Sequence, residues 1–558
     1  MLNLSNGDAY DPLIDETHRN LEKKGKEQYK TFVGEVLQNG SRSLYDPITK
    51  NSFPLMSTPL KRMTTAGNKV KIIKLNSEIF LEAAAVLEHR TFPIEKIFNF
   101  EQHFFAPAIS DFGELHLPKN KSDLVYTIVT PCHNPPAVGE AEFDPTSTII
   151  LDGLRLVTQF HPNPSMTFID YVNYLSKNVI SLFFVFNQRV DIVFETFLEK
   201  SLKASTCQKR GHGPRRSVSK LTKCPSNWAQ FLKDSLFKEE LYTFLAEELT
   251  PLTYPEGRQL YATSKENVLS NGSLPMEDCD HEDADSRMLL HAKHAISQGM
   301  NKVRILSNDT DVVIIGLGVY HRLRASFHFE DIIIEFGLKK DHKAISLKSL
   351  AESLGELRCQ ALPFFHALTG SDTTSAFKSI GKKKAYEALK VCPNAESTFG
   401  FIFNNPFHNL AQDDAKFESI QRFTILMYHK TSMLTKVNEA RKRFYFQRTK
   451  NIETIPPTED ALFLHTLRAI YQAGVWSKSL EIRQNLPSPQ AFGWKHSNES
   501  NWTWEPKWIS QYESSKEARE FVKCSCKSES CTRCKCSLAS LKCTLLCTCK
   551  CADKERYE

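Results

Sequence analysis

The sequence predicts an α/β fold, a mainly parallel sheet flanked by helices. Three short β-branched apolar runs, STIILDGLRLV, VDIVFETF and VRILSNDTDVVIIGLG, read as buried strands. Helical stretches separate them, most clearly DADSRMLLHAKHAISQG, and this alternation is the pattern of sheets whose parallel strands are joined by helical crossovers. Each run also carries acid toward its end: Asp152, Glu195, and Asp309 with Asp311. Ligands in such sheets bind beyond the carboxyl ends of the strands, so these acids mark the expected site.

Along the chain, residues 1–140 mix helical patterns (LEKKGKEQYKTFVGEVL, NSEIFLEAAAVLEH) with Pro-containing turns and hold no catalytic constellation; they read as an extension of unknown role. Residues 141–390 contain the three strands. Within them, Lys203 to Lys223 has seven basic residues, no acid, and interrupting Gly and Pro; the stretch 203–275 is expected to be a basic arch or loop insertion. Residues 391–520 read as a helical extension (FESIQRFTILMYHKT, EDALFLHTLRAIYQAGVW) ending in the Trp-rich FGWKHSNESNWTWEPKW. Residues 521–553 are a cysteine-rich tail.

Composition excludes several classes. Over 558 residues, 41% apolar and 24% charged, the chain is too hydrophobic for general disorder, and a net charge of +6 is too mild to define a partner. The opening MLNLSNGDAYDPL has no basic stretch followed by an apolar run, which points to an intracellular protein. The most apolar window, NVISLFFVFNQRVDIVF, is broken by Asn187, Gln188, Arg189 and Asp191, so no membrane span is expected. There is no GxxxxGK[ST] phosphate loop and no GxSxG elbow.

The acids Asp152, Glu195, Glu282, Asp283, Asp285, Asp309, Asp311 and Asp372 are candidates to converge on one pocket. Asp309 and Asp311, two apart on a strand, would share a side; Glu282 and Asp285, three apart on a helix, would share a face. Crowded carboxylates need cations, and an oxygen-only ligand set suits Mg²⁺ or Mn²⁺. The same residues also suit helix caps and turns. His291 and His294 read as a helix face rather than zinc ligands.

In order along the chain, IILDG, VFETF, Lys203 and Arg210 seven residues apart, Asp283-Ala284-Asp285, SNDTDVVIIG and LTGSDTTSAFKSIGKKKA resemble the motifs of the flap endonuclease (XPG-like) family, over roughly residues 147–390. Glu195 stands where the family has Asp, and Thr196 where it has Gly. The resemblance implies a PIN-like three-layer α/β/α fold with a helix-two-turns-helix element. It also implies phosphodiester hydrolysis with two Mg²⁺ or Mn²⁺ ions about 4 Å apart. Lys203 and Arg210 would touch the scissile phosphate. Gly381 with Lys382, Lys383 and Lys384 would clamp the DNA backbone, and the basic stretch with Arg215 and Arg216 would sit over a single strand.

Nine of the 15 cysteines lie in the tail: Cys524, Cys526, Cys531, Cys534, Cys536, Cys543, Cys547, Cys549 and Cys551. So short a segment cannot bury a core, so metal must supply its folding energy; nine thiolates satisfy about three tetrahedral Zn²⁺ ions when three of them bridge. The spacing resembles one half of a tesmin-like CXC module, a DNA-binding zinc cluster, with Arg533 where that module has an aromatic. Arg533, Lys535 and neighbouring lysines would offset the thiolate charge and face phosphates. The combined expectation is a nuclear, metal-dependent DNA nuclease on branched or single-stranded DNA, with RNA left open as a substrate. Two rival readings are an inactive nuclease fold used as a scaffold and a mobile-element-derived DNA- or chromatin-binding protein.

Overall fold

The computed structural model describes residues 20–38, 98–99, 101, 105–111, 113–129, 143–198, 201–203, 217–272, 274–336, 343–448, 454–496, 503–509, 524–525, 534–538, 540–544 and 547–549. The chain divides into two compact units, one of Pro93–Gly211 with Arg216–Arg519, the other of Met1–Phe92, His212–Arg215 and Glu520–Glu558.

The larger unit is built on a seven-stranded sheet: β1 (Asp144–Asp152), β2 (Asn187–Val193), β3 (Gln259–Ser264), β4 (Asn267–Ser270), β5 (Lys302–Leu306), β6 (Asp331–Phe336) and β7 (Lys343–Ser346). Their spatial order is β4-β3-β2-β1-β5-β6-β7. The inner five are parallel, and the two edge strands run antiparallel to their neighbours. From β1 the chain builds outward through β2 and β3, then returns to add β5 on the other side. The carboxyl ends of β1 and β5 therefore flank the switch point at which such sheets bind ligands.

Helices cover both faces, giving three layers. Strand residues alternate sides. Ile149, Leu151, Val190 and Ile192 face a core with α2 (Gly153–Gln159), α3 (Phe168–Leu175) and α4 (Ser235–Leu249). Ile150 and Val193 face the opposite core, shared with α1 (Asp123–Val129), α5 (Ala284–Ser297), α6 (Thr310–Ser326), α7 (Leu347–Leu354) and α8 (Glu356–Leu368). That second core runs on without a break into α9 (Lys382–Lys390), α10 (Pro393–Asn404), α11 (Ala415–Tyr428), α12 (Val437–Arg448) and α13 (Glu459–Ser477). Boundaries near 140 and 390, expected from composition, do not divide it, because α1 and α13 bury their apolar faces against the same helices as the sheet does.

Three local expectations change. VRILSNDTDVVIIGLG is strand only through Leu306; from Thr310 it is α6, capped by Asp309, whose side chain accepts from the Asp311 amide. An apolar run buried all round carries no amphipathic period, so strand and helix look alike in it. Helix α5 begins at Ala284, so Glu282 precedes it and does not share its face with Asp285. The described part of 203–275 is no free arch: it supplies α4 and the strands β3 and β4. In the Trp-rich segment, Trp494–His496 and Trp504–Pro506 pair as a small antiparallel ribbon. Among the described residues no helix is long and apolar enough to cross a membrane.

The smaller unit contains a helix, Leu21–Phe32, and a cluster of tail cysteines around the short helix Lys535–Leu538. The second N-terminal helical pattern, NSEIFLEAAAVLEH, lies outside the described residues.

Candidate functional site

Asp152 ends β1 and caps α2, accepting from the amides of Leu154 and Arg155 at 2.9 and 3.3 Å. The strand turns into the helix here without a spacer, and Gly153 is what permits it: a Cβ on Gly153 would lie 2.1 Å from Cδ1 of Phe194. The other carboxyl oxygen of Asp152 accepts from Ser307 Oγ at 3.0 Å, and the same hydroxyl accepts from the Asp309 amide at 3.1 Å. Ser307 thus ties the end of β1 to the cap of α6. Arg155 donates to the backbone carbonyls of Ser307 and Glu335, fixing the ends of β5 and β6.

Three carboxylates meet at this edge. Oxygens of Asp285, in the first turn of α5, and of Asp309 and Asp311, at the start of α6, lie within 4.8 Å of one another. Buried His366 of α8 donates Nε2–H to Asp311 at 3.0 Å; burial, with Lys382 and Lys121 nearby, pushes its pKa well below the ordinary value, so the ring is neutral. Asp372 approaches from the turn after α8. That turn depends on Gly370, which has φ +109° and whose missing Cβ would fall 2.9 Å from the Ala376 backbone.

One cation reaches the cluster from the N-terminal segment. Lys121 Nζ lies 2.9 and 3.0 Å from the two oxygens of Asp309, 3.6 Å from Asp311 and 3.0 Å from Asp372. Sequence reasoning missed it: Lys121 sits in an unremarkable polar turn, and only the packing of α1 brings it across.

The remaining acids form an adjoining patch. Glu195 bonds to Lys203 at 2.7 Å and to Lys238 of α4 at 2.6 Å, and Lys203 also reaches Asp283 at 2.9 Å. Glu282 accepts from the Ser201 hydroxyl. Beside this patch a cleft of about 410 Å³ is lined by Lys203, Glu282 and Asp283 on one side and by Gln472, Leu486 and Trp504 on the other.

The electrostatics set Glu195 apart from the raised acids. Burial raises Asp152 to about 6. Burial and mutual repulsion also raise Asp285 and Asp309, with Lys121 offsetting part of the rise at Asp309. Asp311 is raised by burial and by Asp372. Glu282 rises to about 7 through burial and the neighbouring Asp283. Glu195 goes the other way: burial opposes its charge, yet Lys203 and Lys238 together bring it to about 2. Asp152, Asp285, Asp309, Asp311 and Glu282 are thus buried without enough positive charge, whereas Glu195 is well supplied with it. An oxygen-only set short of charge fits a hard divalent cation.

Among the expected phosphate contacts, Gly381 caps α9, and Lys383 and Lys384 are exposed there. Lys382 corrects the expectation. Its ammonium is buried, donating to the His366 carbonyl at 2.7 Å, to Thr369 Oγ1 at 2.9 Å and to the Gly370 carbonyl, so it braces the Asp372 turn from inside instead of facing DNA. Arg210, Arg215, Arg216 and Arg533 lie outside the described residues.

In the tail, Cys524, Cys536, Cys543 and Cys547 bring their sulfurs within 4.8 Å of one another. Neighbouring sulfurs are separated by 3.6 Å (Cys524 to Cys549, Cys536 to Cys547) and 3.9 Å (Cys524 to Cys543, Cys534 to Cys543). A disulfide holds its sulfurs about 2.05 Å apart. Thiolates on a tetrahedral ion with bonds of about 2.3 Å sit about 3.8 Å apart, so the cluster has the spacing of a metal-thiolate site. Cys526, Cys531 and Cys551 lie outside the described residues, and Lys535 is exposed.

Comparison with solved structures finds similarity to one group at low identity and low TM-score. The catalytic core of Rad2 in complex with DNA substrate (complex II) is 15% identical, with TM-score 0.29, and the match covers 61% of this chain and 97% of that one. For complex IV of the same core the identity is 14%, the TM-score 0.27 and the coverage 60% and 97%. The core in complex I is 12% identical, with TM-score 0.24 and coverage 61% and 97%. No family model and no curated protein matches the chain.

Proposed function

We propose that the chain is a divalent-metal-dependent nuclease that hydrolyses phosphodiester bonds of branched or single-stranded DNA in the nucleus, held to DNA by a zinc-cysteine module at residues 521–553. The observation that carries this is the meeting of Asp285, Asp309 and Asp311 at the switch point of the sheet, with Asp152 and Asp372 beside them.

When Mg²⁺ or Mn²⁺ is bound, it supplies an activated water and neutralises the leaving oxygen. Asp152, Asp285 and Asp311 would hold it, with Asp309 beside them under Lys121; the cap of α2 orients Asp152, and His366 orients Asp311. Lys203 is the phosphate contact within the described residues. Glu195 has a second lysine, Lys238, so Lys203 can turn toward a substrate phosphate without leaving Glu195 uncompensated. The cleft bounded by Lys203 and Trp504, about 410 Å³, offers room for a nucleotide next to Glu282 and Asp283. Gly381 with Lys383 and Lys384 offers the backbone amides of a helix start and two cations to duplex phosphates, while Arg210, Arg215 and Arg216 provide the basic stretch for a displaced strand. In the tail, thiolate ligands select Zn²⁺, and Arg533 and Lys535 would supply positive charge for phosphates.

The zinc-loaded chain, incubated with flap, single-stranded and duplex DNA in Mg²⁺, Mn²⁺ or EDTA, should cut in the presence of metal only. A variant carrying Asp309→Ala and Asp311→Ala should lose at least 100-fold in rate; cleavage that survives it rejects the site. A second reading, an inactive scaffold retained on DNA by its tail, is favoured by the lysine clamp on Glu195, which removes that acid from metal binding. It predicts DNA retention with no cutting under any metal.

A further inference from the structure

The N-terminal segment that carries Lys121 is stitched to the loop that carries Asp372. Its His116 carbonyl accepts from the Ala376 amide at 2.7 Å, and its Ala108 carbonyl from the Lys378 amide at 2.8 Å. Immediately after Lys121, α1 buries Leu124, Val125, Ile128 and Val129 in the large core. The lysine is therefore anchored on both sides and does not dangle at the site by chance. Its ammonium spans both oxygens of Asp309 and one of Asp372, with Asp311 just beyond. A second divalent ion on the Asp309–Asp372 side would compete with the lysine for those oxygens. Asp285 and Asp152 are not among its contacts, and they stay available with Asp311 to a first ion.

We infer that Lys121 is a resident cation of the site: it holds the Asp309–Asp372 side, so the folded chain takes one divalent ion readily and admits a second only by displacing the lysine. This rests on the metal reading above and narrows it. A protein ammonium at 3 Å satisfies carboxylates as a hydrogen-bonded point charge, whereas a divalent ion needs their lone pairs at about 2.1 Å; on the same oxygens the two cations repel, so the second ion enters as the lysine leaves. The lysine is thereby a positioning residue, which sets how many ions the acids accept.

The test is the stoichiometry of Mn²⁺ binding to the zinc-loaded full chain, by calorimetry and by the loss of the free-Mn²⁺ paramagnetic resonance signal, without substrate. The wild type should bind one Mn²⁺ tightly, with any second at least tenfold weaker. Lys121→Met and Lys121→Gln should each gain a second tight site, while Lys121→Arg, which keeps the charge, should stay at one. Two equally tight ions in the wild type, or unchanged stoichiometry in both neutral variants, overturns the role of Lys121 and leaves the metal site standing. No Mn²⁺ bound even in the neutral variants overturns the metal site itself, and the inference with it. The melting transition of each variant, compared with the wild type, separates a binding change from misfolding.

Discussion

Single carboxylates here serve two purposes. Asp152 and Asp309 are helix caps of the ordinary kind, yet each carboxylate has a further partner, the Ser307 hydroxyl for Asp152 and Lys121 for Asp309, so cap and partner together orient the group. Burial first, and crowding after it, raises the pKa values of Asp285, Asp309 and Asp311. Removing one charge should therefore help the metal-free fold: Asp285→Asn is expected to raise its melting temperature by about 1–2 °C, by relief of repulsion, while abolishing the further rise that Mn²⁺ gives the wild type. Scanning calorimetry with and without Mn²⁺ reads both, and a lowered metal-free midpoint refutes the crowding account. Gly153 makes the opposite case, a residue whose value is absent volume. Gly153→Ala forces its Cβ into the Phe194 ring and should destabilise the chain by about 1–3 kcal/mol in urea unfolding, shifting Glu195 with it.

At the level of elements, the site is made by helix starts meeting strand ends, and what steadies them lies behind the acids. Lys382 donates to three oxygens around the end of α8, and removing it leaves buried acceptors with no donor. Lys382→Met is expected to cost about 2–3 kcal/mol, measured by denaturant unfolding, and to weaken Mn²⁺ binding by loosening His366, which orients Asp311. The contact between α13 and α8 adds a pH dependence. His465 is bonded through Nε2 to the Leu368 carbonyl at 2.7 Å, and burial, reinforced by Arg468, lowers its pKa to about 3. A depressed histidine pKa means the unfolded chain takes up a proton that the folded chain refuses between about 6.5 and 3. The contribution is whole above pH 6.5 and is lost as pH falls toward 3. His465→Gln should unfold with a shallower pH slope than the wild type between pH 6.5 and 4; equal slopes would place the histidine charged in the fold.

For the whole molecule, the metal-thiolate spacing of the tail predicts that a zinc chelator lowers DNA affinity at least tenfold at fixed salt, with affinity restored by added zinc. A gel-shift titration decides it. The α/β class, the acids at the ends of β1 and β5, and the cysteine spacing were legible in the chain because each is a short-range pattern: alternation, a capped strand end, ligands a few residues apart. The start of α6 was not, since a uniformly apolar run has no period to read. Nor was the inward turn of Lys382, because a lysine in a basic run looks the same whether it faces water or backbone carbonyls. By itself, then, the sequence determined which residues can ligate metal and which strands carry them. The tertiary structure alone decided that Glu195 answers to two lysines and that Lys121, from a segment 188 residues before its partner Asp309, closes the acid cluster. Charge pairing across such separations depends on how helices pack over a sheet, and no local pattern in the chain encodes it.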